Sequence, residues 1–228
     1  MGTNDKKTES FHHFDSIAAE YDGWKKKNWY YYQNLKKLFS EFVPQNSTVL
    51  DIGCGTGDIL VSLQASKGLG IDPSQVMIQI ARSKHGATNM QFEDRDIFDL
   101  SDTSEYRYII MADVLEHIEN LGNFFKKLSQ ITQQNQKIII SLANPLWEPV
   151  LMLSEKLKMK MPEGPHWRLS IKENEKIFKH TGFRVLQKGY RLLIPKKIKG
   201  SERINQRFYK NKLLAKLGFV IFWVLQKV

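Results

Sequence analysis

The chain has 228 residues, a formal net charge of +10, one cysteine and 42% hydrophobic residues. This length suits one α/β domain with a modest cap, and the hydrophobic content can fill a substantial core. The single Cys54 excludes an internal disulfide, and no apolar run approaches the ~20 residues of a membrane-spanning helix. Because the first ten residues also lack the apolar segment of a signal peptide, we expect a cytoplasmic protein.

The charge is distributed unevenly along the chain. Residues 49–150 carry eight Lys/Arg and thirteen Asp/Glu, whereas residues 151–228 carry nineteen Lys/Arg and five Asp/Glu. An asymmetry of this kind reflects a partner or a substrate more often than it reflects the fold.

The predicted elements begin with a disordered tail over residues 1–10 and an amphipathic cap helix within residues 11–46. The helix is indicated by the helical spacing of Tyr31, Leu35, Leu38, Phe39 and Phe42. Strands and helices then alternate through the core, residues 47–145. We predict strands at 48–53, 68–72, 89–93, 106–112 and 136–142, and helices at 57–66, 74–84 and 119–132. This alternation predicts an α/β fold with a doubly wound, mostly parallel sheet.

Residues 146–215 are predicted to form a cap and substrate region within the same domain, which extends from residue 11 to 228. A short helix is expected over Leu151–Met159, a second helix from the capping residue Ser170 to about His180, and a sixth strand over Phe183–Ile194. The apolar segment 218–227 is too short to span a membrane, and its β-branched and aromatic residues favour a buried last strand.

A glycine-rich turn follows the first predicted strand. After Asp51, glycines stand at Gly53, Gly55 and Gly57, where the backbone can turn sharply and approach a ligand. A strand, such a turn and a helix N-terminus form a cofactor cradle at the carboxyl edge of a parallel sheet. The nicotinamide fingerprint requires a third glycine where Asp58 stands, so the turn does not fit a dinucleotide.

The pattern D-I-G-C-G-T-G resembles motif I of the class I S-adenosylmethionine-dependent methyltransferases. Four later segments resemble that family in the expected order: Gly68–Ser74, Asp94–Ile97, Tyr108–His117 and Ile138–Pro145. The resemblance is closest to the small-molecule group that acts in quinone biosynthesis. It implies a Rossmann-like, seven-stranded sheet in which the last strand lies antiparallel between the fifth and the sixth.

The resemblance implies S-adenosylmethionine as the cofactor. Asp72 would hold the ribose hydroxyls, Met77 would lie against the adenine, and Asp96 would meet the adenine edge, with Asp94 as the alternative. Cys54 is expected to be a small packing residue of the turn. The full set predicted to bind the cofactor is Tyr21, Asp51, Gly53, Cys54, Gly55, Gly57, Asp72, Pro73, Met77, Asp96, Ile97 and Met111.

Two segments have open alternatives. Phe14–Asp22 resembles the entrance segment of quinone-pathway methyltransferases, in which the tyrosine folds over the cofactor, but it also fits an amphipathic surface helix. Asp113, Glu116 and His117 could share a metal ion, although the same sequence occurs in metal-free relatives as a turn. We predict no metal site.

The predicted general base is His166, in a loop rich in proline and glycine after the fifth strand. The alternative for His166 is a surface histidine, His117 is the second candidate for the base, and Arg168 could hold an acidic group of the substrate.

The predicted function is methyl transfer to oxygen or carbon of a small or lipid-linked acceptor. The basic C-terminal third suits peripheral contact with an anionic membrane, but it also suits nucleic acid or a solvated surface. The alternatives are therefore an RNA methyltransferase and a regulatory protein that binds S-adenosylmethionine without catalysis. Nothing in the sequence indicates the oligomeric state.

Overall fold

The structure, a computed structural model, describes residues 3–162, 164, 166–208 and 212–228. In these residues seven strands form one sheet in the order β3-β2-β1-β4-β5-β7-β6. The strands are β1 (Thr48–Ile52), β2 (Lys67–Asp72), β3 (Met90–Asp94), β4 (Tyr108–Ala112), β5 (Lys137–Ala143), β6 (Phe183–Arg191) and β7 (Val220–Lys227).

Nine α-helices accompany the sheet in the described part of the chain. They are α1 (Thr3–Lys27), α2 (Trp29–Phe42), α3 (Asp58–Ser62), α4 (Gln75–His85), α5 (Leu121–Ile131), α6 (Glu148–Lys156), α7 (Ile171–His180), α8 (Ser201–Phe208) and α9 (Lys212–Ala215). One face of the sheet packs on Phe125 of α5 and Phe178 of α7, and the other on Phe39 of α2 and Ile78 of α4. Helices on both faces confirm the predicted doubly wound architecture.

The position of β7 explains the apolar segment near the end of the sequence. β7 pairs antiparallel with β5 on one side and with β6 on the other, and Val220–Leu225 are buried. The largest of these side chains, Trp223, is fully buried, and its indole N–H donates a hydrogen bond to Glu175 Oε1 at 2.9 Å. The segment is therefore a buried strand, paired on both sides, and the burial was predicted from its β-branched and aromatic residues.

The N-terminal region differs from the prediction in two ways. Thr3–Ser10 are helical and belong to α1, although we expected a disordered tail over residues 1–10; Met1 and Gly2 lie outside the described residues. No glycine or proline stands between Thr3 and Asp22, so the helix continues toward the N-terminus. The single predicted cap helix is also divided at Asn28, which separates α1 from α2 and whose side-chain amide donates to Trp24 O at 3.2 Å.

The start of α7 was predicted from its sequence and forms as expected. Ser170 Oγ accepts a hydrogen bond from Glu173 N, and the Glu173 carboxylate accepts one from Ser170 N, which completes a capping box. Gly182, which ends the helix, has a φ of +86°. Within the described residues, no helix has the length and apolar character needed to cross a bilayer.

Candidate functional site

A cavity of about 890 Å³ opens above the carboxyl ends of the strands. Its floor is formed by the turns that follow β1, β2 and β4, and its walls include residues of α1, α2 and α6. Open α/β sheets place their ligands at this edge because the strand order reverses there, here between β1 and β4.

The glycine-rich turn brings its backbone close to the cavity. Gly53 and Gly55 have φ values of +74° and +52°, in the left-handed region that glycine adopts readily. A Cβ at Gly55 would lie 3.5 Å from the hydroxyl of Tyr21, on the cavity wall. Because Gly55 has no side chain, a ligand in the cavity can approach the backbone of the turn at this point.

Asp72, at the end of β2, closes the other side of this turn. Its carboxylate accepts hydrogen bonds from Gly55 N and Ser74 N, each at 2.9 Å. Burial raises the pKa of Asp72 to about 6, although the two backbone N–H donors oppose the shift. The side chain thus lies where the resemblance predicts a ligand for the ribose hydroxyls.

Asp51, at the end of β1, is a buried acid on the cavity floor. It is 1% exposed, and its Oδ1 has no hydrogen-bond partner among the described residues. Burial, followed by repulsion from the Asp72 charge, raises the pKa of Asp51 to about 8. A buried carboxyl oxygen of this kind is satisfied best by a cationic or hydrogen-bond-donating ligand.

A third group of predicted residues lines the cavity beyond β2 and β3. Pro73, Met77, Asp96 and Ile97 all belong to the wall. Met77 is buried near the start of α4, and its backbone N–H donates to the capping residue Ser74. The side chain of Asp96 caps the short turn Ile97–Asp99 by accepting from Phe98 N at 3.1 Å. These residues present an apolar surface beside a carboxylate, which suits a flat base with polar edges.

Two residues of the predicted cofactor set lie away from the cavity wall. Gly57 is the N-cap of α3, and a Cβ there would meet the ring of Phe92 at 2.6 Å, so this glycine serves helix packing. Met111 on β4 is fully buried in the core beneath the sheet edge.

The buried thiol of Cys54 borders the cavity, and burial raises its pKa well above the usual value, so it remains protonated.

Helix α1 crosses the cavity and supplies side chains to it. Tyr21 lies in the wall beside Gly55, and burial raises the pKa of its hydroxyl well above the usual value. Lys25 donates hydrogen bonds to Thr56 Oγ1 at 2.9 Å and to Asp58 Oδ2 at 3.0 Å. These bonds join α1 to the segment that follows the glycine-rich turn.

The segment after β4 adds polar side chains to the cavity wall. Asp113, with a φ of +55°, accepts hydrogen bonds from the Tyr31 hydroxyl at 2.6 Å and from Ser141 Oγ at 2.7 Å. Burial raises the pKa of Asp113, and both donors oppose that shift. This carboxylate joins α2 to β5 and fixes the wall on which His117 lies.

His117, the second of the two predicted bases, belongs to the cavity wall. It ends a short turn, Leu115–His117, and the ring of Phe14 packs edge-on against its imidazole with 4.8 Å between the ring centroids. Glu116, the residue before it, is buried and also lines the cavity. Among the described residues, no three His, Cys, Asp or Glu side chains are grouped so that they could hold a metal ion.

His166, the preferred candidate from sequence, is outside the cavity wall. Its Nε2 lies 3.2 Å from Glu148 Oε1, and Arg168 pairs with the other oxygen of Glu148. These contacts attach the loop to the start of α6, whereas the neighbouring Trp167 lines the cavity. The predicted loop also contains Glu163 and Pro165, which lie outside the described residues.

Sequence reasoning missed most of the aromatic wall. Besides Tyr21, the rings that line the cavity are Phe14, Trp24, Tyr31, Tyr32, Phe98, Phe124, Trp147, Trp167 and Phe219. The run of aromatic residues from Trp29 to Tyr32 was a usable signal, because a helix at this spacing cannot bury all four rings in one core. The sequence did not indicate that the remaining rings would meet across α1, α2 and the cap.

The cavity fits S-adenosylmethionine by its chemistry. The buried oxygen of Asp51 that lacks a partner suits a cationic amino acid group, and Asp72 suits paired hydroxyls. The open space at Gly55 suits close backbone contact, and Met77 with Ile97 suits an adenine ring. These side chains would hold the cofactor together with Asp96 and Tyr21.

Comparison with known proteins agrees with this geometry. Residues 24–188 match the methyltransferase domain family. The chain is 26% identical over 180 residues to a ubiquinone biosynthesis O-methyltransferase of Pelagibacter ubique, covering 75% of this chain and 72% of that protein. A protein of the same description from Bradyrhizobium diazoefficiens is 24% identical over 135 residues, covering 56% of this chain and 53% of the relative. The chain thus spans about half the length of the Bradyrhizobium protein.

Solved structures share the fold over nearly the whole chain. An S-adenosylmethionine-dependent methyltransferase of Thermotoga maritima superposes with a TM-score of 0.72 at 18% identity, covering 96% of this chain and 99% of that one. A magnesium protoporphyrin IX methyltransferase of Synechocystis PCC 6803 with bound S-adenosylmethionine gives a TM-score of 0.67 at 16% identity, covering 100% of both chains. From the family match over residues 24–188 and the cofactor residues in the cavity, the chain belongs to the S-adenosylmethionine-dependent methyltransferase domain family.

Proposed function

We propose that this enzyme methylates a hydroxyl group of a small, largely apolar aromatic acceptor of the quinone type, carried on a lipid tail. The observation that carries the proposal is a cluster of rings in the wall of the cavity that His117 also lines: Tyr31 contacts Tyr32 and Phe219, and Phe219 contacts Trp147. A volume of about 890 Å³ is near the upper end of the roughly 300–1,000 Å³ of ligand pockets, so it has room for a second molecule. The relatives described as ubiquinone biosynthesis O-methyltransferases support an aromatic hydroxyl as the acceptor.

The reaction requires alignment and the removal of one proton. When bound, S-adenosylmethionine would supply an electrophilic sulfonium methyl group for transfer to the acceptor oxygen, with the thioether as the leaving group. The protein therefore has to hold the acceptor oxygen in line and accept its proton. In this proposal the apolar rings exclude water and orient the acceptor. The segment after β4 supplies the polar group that accepts the proton.

His117 is the base in this proposal. Its imidazole lies in the wall, held edge-on by Phe14, and it follows the Asp113 segment that Tyr31 and Ser141 fix in place. His166 has the role of attaching the loop to α6 through Glu148. This assignment reverses the order of the two histidines that the sequence alone favoured.

The two alternative functions have less support. The cavity wall carries a cluster of aromatic rings that suits a flat apolar acceptor, and two of its cations, Lys25 and Arg95, already pair with carboxylates, whereas a nucleotide of RNA would bring a phosphate that requires cations. A regulatory protein without catalysis would not need both an intact cofactor cradle and a second, aromatic compartment. Neither alternative explains why the cofactor residues and the aromatic rings occur together in one cavity.

The function is tested with methyl-labelled S-adenosylmethionine and a panel of hydroxylated quinols, with and without prenyl tails. We expect label transfer to a tailed quinol, with product analysis placing the methyl group on oxygen. Asp72→Ala should abolish cofactor binding in calorimetry and also turnover. If the wild-type protein does not bind the cofactor, or labels RNA but no quinol, the proposal is wrong.

The choice of base has its own test on the substrate so identified. His117→Ala should lower kcat by roughly 10²–10⁴-fold with cofactor affinity retained, because a positioned base contributes about that much. His166→Ala is the matched control and should retain most of kcat. A large loss of kcat in His166→Ala with none in His117→Ala would reverse the assignment.

A further inference from the structure

Helix α6 and its flanks turn an apolar stripe toward solvent. Leu146, Val150, Leu153 and Leu157 are 58%, 48%, 56% and 61% exposed, and they recur at the spacing that places them on one side of a helix. In α6 itself only Leu151 is buried against the protein. A surface helix normally turns its apolar side to the core, so an exposed stripe of this size indicates a contact surface. We call these four residues the α6 stripe.

Lysines lie at both ends of the α6 stripe. At its C-terminal end, Lys156 and Lys158 are exposed, and Lys27 Nζ donates to Lys158 O at 2.5 Å. At its N-terminal end, Trp147 Nε1 donates to Leu217 O at 2.8 Å, which brings the exposed Lys216 close to the helix.

The acidic side chains of α6 are occupied by basic partners. Glu148 pairs with Arg168 and with His166, and Glu155 lies 3.9 Å from Lys160. The surface around the stripe is therefore apolar in the middle and positively charged at its edges.

The α6 stripe is continuous with the mouth of the cavity. Val150 belongs to both, and Met159, half exposed, and Lys160 also line the cavity. Lys196 lines the cavity as well, where its Nζ donates to Asn28 Oδ1 at 2.5 Å. An apolar surface thus leads from the stripe into the aromatic compartment.

We propose that the α6 stripe docks on the surface of a lipid bilayer with anionic headgroups. Apolar side chains on one face of a helix with lysines beside them match the two components of interfacial binding, which are burial in the acyl boundary and attraction to anionic lipid. A protein partner would not require the lysines at both ends. The cavity then opens toward the bilayer, and a lipid-linked acceptor enters it without crossing water; this last step rests on the proposed function, whereas the docking does not.

Docking is tested by sedimentation of the full chain with vesicles, with no acceptor present. Vesicles of phosphatidylcholine alone are compared with vesicles that also contain phosphatidylglycerol. We expect binding to the anionic vesicles that weakens with added salt. Leu153→Ser/Leu157→Ser should lower the partition coefficient about tenfold or more, because each leucine loses its buried area. Lys156→Glu/Lys158→Glu should lower it by a similar factor on anionic vesicles alone.

Matched controls lie elsewhere on the surface. Val185→Ser/Leu186→Ser removes two exposed apolar side chains from β6, and Lys172→Glu/Lys179→Glu reverses two exposed lysines on α7. Both controls should bind vesicles as the wild type does. Calorimetry with S-adenosylmethionine checks that every variant is folded, because none of the substituted residues lines the cavity.

Three outcomes would overturn the docking proposal. The wild type could fail to bind anionic vesicles, or the control variants could lose binding as strongly as the stripe variants. Alternatively, Leu153→Ser/Leu157→Ser could dissociate a dimer in light scattering while vesicle binding is unchanged, in which case the stripe covers a second copy of the chain. Vesicle sedimentation, calorimetry and light scattering do not depend on the quinol assay. Failure of that assay would therefore contradict the proposed function without contradicting the docking proposal.

Discussion

Two carboxyl groups on the cavity floor are held in surroundings that disfavour their charged forms. Asp51 and Asp72 approach each other at the ends of adjacent strands, and burial raises both pKa values, to about 8 and about 6. A ligand that offers a positive charge and hydroxyl donors relieves this unfavourable placement. The free protein therefore carries a local destabilisation that a bound cofactor would relieve, as is common at binding sites.

This placement makes the stability of the free protein depend on pH. Asp51 has a folded-state pKa of about 8 against 3.8 in the ordinary state, so the folded protein holds its proton more tightly than the unfolded chain. Its contribution to stability is complete below about pH 4 and is lost as the pH rises to about 8. Asp51→Asn should therefore raise the free energy of unfolding by roughly 1–3 kcal/mol at pH 8 and leave it nearly unchanged at pH 4. Urea unfolding of the free protein at a series of pH values measures this.

The same variant provides its own control in the presence of cofactor. Saturating S-adenosylmethionine should stabilise the wild type at pH 8, because its cationic amino group would meet the Asp51 carboxylate, and it should stabilise Asp51→Asn less. A variant that is destabilised at pH 8, or that binds the cofactor as the wild type does, would show that Asp51 is a structural acid only.

Among the elements, the turn between β1 and α3 divides its glycines between two tasks. A Cβ at Gly55 meets only ordinary contacts with Tyr21 but projects into the cavity wall, whereas a Cβ at Gly57 would overlap the buried ring of Phe92. One glycine leaves room for the cofactor and the other for the packing of α3.

Alanine substitutions should separate these tasks. Gly55→Ala should cost about 1–2 kcal/mol for its positive φ and weaken cofactor binding tenfold or more. Gly57→Ala should cost roughly 2–4 kcal/mol, because strain at φ +79° adds to the overlap with Phe92. Urea unfolding and calorimetry report the two quantities separately. Equal effects of both variants on binding and on stability would contradict the division.

The elements that could be predicted from the sequence are those whose signals are local. The β-branched run of β7 and the Ser170–Glu173 capping box each contain the interactions that form them. The break at Asn28 has a weaker signal, since no proline or glycine marks it. The loop that carries His166 is held by Glu148, 18 residues away, and by the bond from Trp167 N to Glu116 O. No spacing in the sequence shows such distant contacts, so the sequence could not indicate that His117 lies in the cavity wall and His166 outside it.

At the scale of the whole molecule, α1 is the helix whose stability we expect to depend most on a ligand in the cavity. Among its side chains from His13 onward, Ala18 alone is shielded almost completely from solvent, at 2% exposed. The helix is otherwise held by polar bonds: Asp15 accepts from Ser74, Asp22 accepts from Thr56 and Lys25 donates to Asp58. Few buried apolar contacts imply a low free energy of local opening. Since Phe14, Tyr21 and Trp24 line the cavity, a ligand there adds contacts that hold the helix closed.

Amide hydrogen exchange should detect this coupling. With the demethylated cofactor product in hundredfold excess over its Kd, amides of residues 13–27 should exchange up to about 100-fold more slowly, because opening of α1 then requires release of the ligand. Helix α7 has none of its residues in the cavity wall, so locally exchanging amides of Ile171–His180 should change little. Equal slowing in α1 and α7 would indicate global stabilisation, and no slowing in α1 would show that the helix is a fixed wall. The predicted difference between the two helices requires α1 to open in the free protein and to stay closed while the cofactor is bound.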